Sequence, residues 1–474
     1  MKVHSANPYK GLKPTIQLSS FPTNISRLAK NNTIRTMRTG LSSMDTTEGL
    51  SLDQMVNSSW LRHHLYLLGL DLIKLKLYQK FSHLLTTGGG GLIKNAVFEL
   101  SSFLKRELVD RRCRADSPES SIASQLKELI SYNLSFTADS QRSAILDGED
   151  YRESQFKWFF IAVGYMIVTE SERSVEDLAD KIISIYMSST RPTIPIDAAS
   201  APQIDQDNAR ILSLIHRYYR SVDIDYDLLY RPRPISIRMF DSVYYHIDLP
   251  PLPKIENKSL LAKALMHKEM YRAFLVKSHP FSEMLLEEGI EPTRDSCKVI
   301  RYDLSFLDGL GDFYLARESS KLLYQFKVET APPSEDAGFG RKSYNMLRTI
   351  LATNTLLSKL AIAYNLHRGL NDPIIYQFLL EDYVPHISTW SSPEFDMSDD
   401  VNGVMRYEQE FIADYFEQYV GALFLEQPEV AQDWINKIYH NILLLIPDLH
   451  TTPGRILRYD YRAWSHDVIG RQVM

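Results

Sequence analysis

Two apolar helical stretches of this 474-residue chain each carry a pair of acidic side chains on one face. In SFLDGLGDFYLA, Asp308 and Asp312 lie four residues apart, and in FIADYFEQYVGALFLE, Asp414 and Glu417 lie three residues apart. Both spacings place the two side chains on the same face of an α-helix. If the helices pack together, four carboxylates converge, and their repulsion is costly unless a cation lies between them. Oxygen ligands of this kind suit Mg²⁺ or Mn²⁺.

Small residues accompany both acidic pairs. Gly309 and Gly311 remove side chains beside the aspartates and allow a backbone or a ligand to approach closely, and Gly421 follows the second pair. Acidic residues at helical spacing usually line a solvated face, which is the alternative interpretation of each pair taken alone. The apolar surroundings favour burial instead. They are Phe306, Leu307, Leu310, Phe313, Tyr314 and Leu315 in the first stretch, and Phe411, Ile412, Phe416, Val420 and Leu423 in the second.

Length and composition limit the classes of protein that the chain can belong to. A chain of 474 residues is too long to fold around one ordinary hydrophobic core, so two or three domains are expected. The net charge of −6 argues against a protein that coats nucleic acid by bulk electrostatics, although it permits a local basic face. Two cysteines form neither a disulfide framework nor a four-cysteine zinc site, and they fit a reducing compartment. The longest apolar run, residues 156–168, is shorter than the roughly 20 residues of a membrane-spanning helix, so no membrane partner is expected.

Helical periodicity continues through most of the chain after about residue 50 and predicts an all-α fold. Between Thr190 and Pro253 the composition becomes rich in proline and tyrosine, which predicts an extended linker. The predicted organisation is an N-terminal segment at 1–49, a helical domain at 50–188, a linker at 189–249, a second helical domain at 250–450 and a tail at 451–474.

The N-terminal segment is basic and rich in hydroxyl side chains. Seven lysines and arginines precede the first acidic residue, Asp45. This composition is typical of mitochondrial transit peptides, and it predicts a mitochondrial protein, with the nucleus as the alternative. A disordered basic tail is the other interpretation, because three prolines interrupt any long helix in the segment.

The second helical domain resembles the ribonuclease III family over about residues 250–449. Residues 307–312, LDGLGD, resemble the family's signature helix, Leu-Glu-Phe-Leu-Gly-Asp, and residues 413–422, ADYFEQYVGA, resemble its second acidic helix. Residues 264–267, ALMH, resemble the turn that opens the fungal domains. Two departures concern the first acidic pair. Asp308 replaces a glutamate, which shortens that ligand by one methylene, and Gly309 replaces an aromatic residue.

The resemblance implies metal-assisted hydrolysis of phosphodiesters in double-stranded or structured RNA. Asp308, Asp312, Asp414 and Glu417 would hold Mg²⁺ or Mn²⁺, with the main catalytic roles at Asp312 and Glu417. His267 is interpreted as a packing or capping residue. The alternative is a catalytically inert RNA-binding scaffold, such as a mitochondrial large-subunit ribosomal protein. Expected partners are therefore RNA, ribosomal components or a second copy of the chain.

The first helical domain resembles a second, eroded copy of this pattern. In an alignment of the two halves, Gly69 and Gly164 correspond to Gly311 and Gly421. Ribonuclease III domains work as dimers, so two copies in one chain are expected to form an intramolecular pseudo-dimer with a single active centre. A chance alignment of two helical blocks is the alternative. At the positions of Asp312, Asp414 and Glu417, the first copy carries Leu70, Lys157 and Phe160.

Overall fold

The computed structural model describes residues 59–80, 202–238, 244–330, 341–387 and 404–445, together with ten isolated positions between 157 and 180. These residues belong to two compact units, and the boundary between them lies between residues 202 and 203. We call them the N-terminal unit and the C-terminal unit. The predicted transit-like segment 1–49 and the predicted tail 451–474 lie outside the described residues.

The N-terminal unit contains helix α1, Ser59–Lys80, and helical positions between residues 157 and 168. Helix α1 is buried around most of its circumference, with His64 and Asp71 enclosed beside its apolar residues. The packed helix that the sequence predicts here is confirmed, because apolar side chains recur every three or four residues and are excluded from solvent. They include Leu61, Leu65, Leu68 and Leu72.

The C-terminal unit is built mainly from helices. Its α-helices are, in chain order, α2 Pro202–Ser221, α3 Tyr226–Leu229, α4 Lys258–Ala264, α5 Pro280–Glu287, α6 Arg294–Thr330, α7 Arg341–Leu351, α8 Asn354–Ala363, α9 Pro373–Phe378, α10 Val404–Glu426 and α11 Pro428–Leu445. Helical turns of 3₁₀ type occupy Lys268–Leu275 and Leu366–Arg368, and a π-helical turn occupies Leu379–Tyr383.

One strand pair interrupts the helical architecture of the described residues. Strand β1, Ile235–Arg238, pairs antiparallel with β2, Tyr244–Ile247, so that Ile235 lies opposite Ile247. Both of these end residues are buried, which joins the strand pair to the core. The helical character that the sequence predicts is confirmed, with this pair as a local exception.

The prediction of an extended linker at residues 189–249 does not hold for residues 202–221, which form helix α2. Residues from 203 onward belong to the C-terminal unit. The apolar side chains of α2 recur at helical spacing, so helix formation buries them together. The abundance of proline and tyrosine concealed this amphipathic pattern. The buried side chains are Ile211, Leu212, Leu214, Ile215, Tyr218 and Tyr219.

A buried hydrogen-bond network ties α2 to the residues that precede α5 and α9. Tyr218 Oη donates to Asp372 Oδ2 over 2.5 Å, and His279 Nε2 lies 3.1 Å from the same oxygen. His279 Nδ1 accepts from the Phe281 amide at the start of α5, while Asp372 Oδ1 accepts from two amides of α9. Burial opposes ionisation of Asp372, but the hydrogen bonds from His279, an α9 amide and Tyr218 outweigh it and lower the pKa of Asp372 to about 2.

Helices α6 and α10 form the most extensive helix pair of the C-terminal unit. Helix α8, helix α11 and the 3₁₀ helix Lys268–Leu275 pack against one or both of them. The two stretches that carry the acidic pairs therefore meet in the middle of this unit. Within the ranges described, no helix is both long enough and apolar enough to cross a membrane.

Candidate metal centre

Helices α6 and α10 approach each other most closely at two glycines. A Cβ atom built on Gly311 would lie 1.9 Å from the carbonyl oxygen of Glu417, and one built on Gly421 would lie 2.2 Å from the carbonyl oxygen of Leu307. No side chain larger than hydrogen fits between the two backbones at either position. This backbone contact lies beside the acidic pairs of both helices and fixes the distance between them.

Three acidic side chains meet next to this crossing. Asp308 of α6 and Asp414 and Glu417 of α10 each offer one carboxylate oxygen, and these oxygens all lie within 4.8 Å of one another. Asp308 is buried and the other two are partly buried. The sequence prediction that acids from the two helices converge is therefore supported for these three residues.

Asp312 stands apart from this group. Its side chain is exposed, and the three clustered oxygens do not include one of its own. It still lies close enough for its charge to contribute to the raised pKa of Glu417. The sequence assigned a main catalytic role to Asp312 and a supporting role to Asp308, whereas the geometry places Asp308 in the cluster and Asp312 at its edge.

The ammonium group of Lys268 occupies the cluster. Its Nζ atom lies 2.6 Å from Asp308 Oδ2 and 2.7 Å from Asp414 Oδ2, so it bridges α6 and α10. Lys268 is the first residue of the 3₁₀ helix and its side chain retains 23% of its exposure. Burial lowers the pKa of Lys268, but Asp308 and Asp414 outweigh this effect and raise it well above the ordinary value.

His267 orients Asp414 from the other side. Its Nδ1 accepts a hydrogen bond from the Glu269 amide and caps the 3₁₀ helix, so the proton of the neutral ring lies on Nε2. Nε2 donates to Asp414 Oδ2 over 2.8 Å. The ring also stacks on Phe411 of α10 with a centroid separation of 3.6 Å. The predicted capping and packing role is confirmed, and the hydrogen bond to Asp414 adds a positioning role.

The charges of the cluster are only partly compensated. Burial raises the pKa of Glu417 well above its usual range, and the charges of Asp308, Asp312 and Asp414 raise it further. Burial and the charge of Asp414 also raise the pKa of Asp308. Burial opposes ionisation of Asp414 as well, but His267 and Lys268 outweigh it and lower the pKa of that carboxyl. The pKa of Glu417 is therefore the one that the uncompensated negative charge of its neighbours raises most clearly.

The donor set fits a small divalent cation. Carboxylate oxygens are the ligands that Mg²⁺ and Mn²⁺ prefer, and opposite ligands of Mg²⁺ lie about 4.2 Å apart. Three ligands of octahedral Mg²⁺ include at least two adjacent pairs, which lie about 3.0 Å apart. Since the three oxygens lie within 4.8 Å of one another, these pairs would have to close by up to about 1.8 Å. Such a cation would also favour the ionised form of the Glu417 carboxyl.

Lys268 is the functional residue that sequence reasoning missed. It is 40 residues from Asp308 along the chain, and no spacing rule links the two positions. The available signal was its place directly after His267, in the turn that resembles the start of the fungal ribonuclease III domain. A basic residue next to a predicted capping histidine did not by itself indicate a contact with the acids.

The N-terminal unit contains a helix crossing with the same reciprocal glycine contacts. A Cβ on Gly69 would lie 2.2 Å from the Phe160 carbonyl oxygen, and one on Gly164 would lie 2.0 Å from the Leu65 carbonyl oxygen. In each unit, the clashing oxygen belongs to the residue four positions before the opposite glycine. Counted from these glycines, Tyr66 and Phe160 correspond to Asp308 and Glu417. Their rings meet edge to face with centroids 6.1 Å apart.

No protein-family model matches this chain, and neither a curated protein nor a solved structure gives a significant match.

Proposed function

We propose that the C-terminal unit is a divalent-metal-dependent endoribonuclease of the ribonuclease III type that cleaves double-stranded or structured RNA. The observation that carries this proposal is the convergence of Asp308, Asp414 and Glu417 at the glycine crossing of α6 and α10. A mostly buried group of three carboxylates is costly without a cation. The two helices carry the motifs that resemble the signature sequences of this family.

The roles of the side chains follow from their positions. Asp308, Asp414 and Glu417 would hold Mg²⁺ or Mn²⁺, and the exposed Asp312 would lie at the edge of the centre. When bound, the cation would activate water and stabilise negative charge on the phosphate. His267 keeps one oxygen of Asp414 in a fixed direction through its Nε2–H. The positive charge of a bound cation would favour the ionised form of the Glu417 carboxyl.

The N-terminal unit would be a second copy of the same fold without a metal site. The reciprocal glycine contacts in both units support the duplication. The aromatic pair Tyr66 and Phe160 stands where Asp308 and Glu417 stand in the other copy, so these two positions contribute no carboxylates. One chain would then have one active centre and, if the copies pair, would act as an intramolecular pseudo-dimer. Sedimentation of an active monomer of 54.7 kDa would support this arrangement, and activity restricted to dimers of the chain would contradict it.

A cleavage assay with matched variants tests the nuclease proposal. The full chain is incubated with a long duplex RNA and Mg²⁺, next to Asp414→Asn and Glu417→Gln. The control is Asp433→Asn, which removes an exposed carboxylate of α11 that pairs with Lys437. Wild type and the control should produce cleaved RNA, and the two cluster variants should not. Equal cleavage by all four proteins, or intact RNA with wild type in both Mg²⁺ and Mn²⁺, would refute the proposal.

The contacts of Lys268 favour one alternative, an inert RNA-binding scaffold. An ammonium group that bridges Asp308 and Asp414 stabilises the fold without any metal. In that case duplex RNA would bind without being cleaved. For a mitochondrial ribosomal role, stoichiometric comigration with the mitochondrial large subunit would be expected, whereas a nuclease would leave the ribosome fractions free of the protein.

A further inference from the structure

The contact of Lys268 with the acidic cluster has three features that separate it from an ordinary surface ion pair. Its Nζ contacts carboxylates from two different helices, at 2.6 and 2.7 Å. Both carboxylates belong to the group whose oxygens converge within 4.8 Å. The neighbouring His267 holds Asp414 by its own hydrogen bond, so Asp414 keeps its position when the lysine leaves.

We propose that Lys268 is an internal counter-ion that occupies the metal position and must be displaced by a divalent cation before the centre can act. This inference rests on the proposed function, because it describes how the same three carboxylates change from an inactive to an active state. A cation of charge +2 interacts more strongly with the cluster than one ammonium group. The lysine therefore sets the metal concentration at which the centre loads.

The lysine can leave without unfolding its surroundings. Its side chain retains 23% of its exposure, so a rotation of its flexible stem moves the ammonium group into water. The backbone at this position is held separately, because the His267 ring caps the 3₁₀ helix and stacks on Phe411. Asp308 then exchanges one cationic partner for another, and Asp414 retains its hydrogen bond from His267.

The chain offers a close control for this lysine. Lys263 Nζ lies 2.6 Å from Asp303 Oδ1, in a pair that is equally short and more deeply buried. It joins α4 to α6, as Lys268 joins the 3₁₀ helix to α6, and neither Lys263 nor Asp303 belongs to the acidic cluster. A substitution at Lys263 therefore removes a buried lysine and leaves unchanged the competition between the Lys268 ammonium group and a divalent cation for the three carboxylates.

The test compares binding of Mn²⁺ by wild type, Lys268→Met and Lys263→Met, by titration calorimetry at fixed pH and ionic strength. Lys268→Met should bind Mn²⁺ at least about tenfold more tightly than wild type, a difference that corresponds to roughly 1.4 kcal/mol, and Lys263→Met should match wild type. If wild type and Lys268→Met bind Mn²⁺ equally, the counter-ion inference is refuted and the metal centre stands. If none of the three proteins binds Mn²⁺, both the inference and the proposed nuclease are refuted.

A second measurement uses the unaltered protein, in case Lys268→Met does not fold. Lysine acetylation by an activated ester, mapped by mass spectrometry, reports how accessible each amine is. Addition of Mn²⁺ should increase the labelling of Lys268 severalfold and leave the labelling of Lys263 unchanged. Labelling of Lys268 that stays constant or falls while Mn²⁺ binds would overturn the proposed displacement.

Discussion

The glycine crossing makes a quantitative prediction for Gly311→Ala. The new Cβ would lie 1.9 Å from the carbonyl oxygen of Glu417, whereas ordinary contact begins at 3.4 Å, so α6 and α10 must separate by about 1.5 Å at this point. Inserting atoms into a packed core costs about 1–3 kcal/mol when side chains can adjust. Here the obstructing atoms are helix backbone, so we expect a cost of about 3 kcal/mol or more.

The preference of alanine for helices offsets part of this cost. It contributes about 1 kcal/mol at a helix interior, so the net loss of stability should be at least about 2 kcal/mol. Gly309→Ala is the matched control, because Gly309 lies two residues earlier in the same helix and is partly exposed. It should gain up to about 1 kcal/mol. The two variants should therefore differ by about 3 kcal/mol, with opposite signs relative to wild type.

Hydrogen exchange measured by mass spectrometry is the suitable assay, because the chain has two compact units that need not unfold together. Peptides from α6 and α10 report the local free energy of opening at the crossing. Gly311→Ala should lower their protection and Gly309→Ala should preserve or raise it. Stabilities of the two variants that agree within about 0.5 kcal/mol would refute the close backbone contact as the feature that holds these helices together.

Three further predictions concern the buried polar groups. Because folding raises the pKa of Glu417, the contribution of this group to the free energy of unfolding is fully present below pH 4.5. It is lost as the pH rises towards the pKa of the folded state, at up to about 1.4 kcal/mol per pH unit. In urea unfolding with EDTA, Glu417→Gln should therefore be more stable relative to wild type at pH 8 than at pH 5, and parallel pH profiles of the two proteins would contradict this. Because folding lowers the pKa of Asp372 to about 2, this carboxylate contributes roughly 2 kcal/mol to the free energy of unfolding at pH values above its unfolded pKa of 3.8. The contribution is lost as the pH falls towards 2. The loss of stability in Asp372→Asn, measured by urea unfolding, should therefore be largest at neutral pH and should shrink in acid. His267→Phe keeps the ring contact with Phe411 but removes the helix cap and the hydrogen bond to Asp414. It should lower the free energy of unfolding in urea by about 2 kcal/mol. An unchanged midpoint of the urea transition would argue against both hydrogen bonds.

The sequence predicted the meeting of α6 and α10 because the pattern of the two helices is local. Glycines and acids at helical spacing within apolar stretches specify which faces can pack closely, and those faces do pack. The geometry places Asp308 in the cluster and Asp312 at its edge, and the rotation of the helix explains this difference. With roughly 100° per residue, Asp308 lies roughly 60° around the helix from Gly311, which faces α10, whereas Asp312 lies roughly 100° away. A motif match compares residue types at each position and contains no information about how far each side chain is rotated around the helix axis from the contact with α10.

Sequence reasoning missed two other features, for different reasons. Helix α2 was missed because composition was given more weight than periodicity, although Ile211, Ile215 and Tyr219 recur every four residues and are buried. Periodicity alone would have found it. Lys268 could not be found in this way, because its partners Asp308 and Asp414 are brought to it by tertiary packing across long stretches of chain. Contacts of that kind depend on the path of the backbone between elements.

The N-terminal unit separates the packing requirement from the chemical one. Its glycines Gly69 and Gly164 make the same reciprocal contacts with opposite carbonyl oxygens as Gly311 and Gly421 do. Yet the aromatic rings of Tyr66 and Phe160 stand at the positions that Asp308 and Glu417 occupy in the other unit. The glycine crossing therefore forms without acids at these two positions, so Asp308 and Glu417 are not required to form it. Since convergent carboxylates oppose folding unless their charge is compensated, and a neutral aromatic pair serves the same crossing, the three acids add a requirement for positive charge. Lys268 meets part of this requirement in the structure, and the proposed divalent cation would meet it more fully.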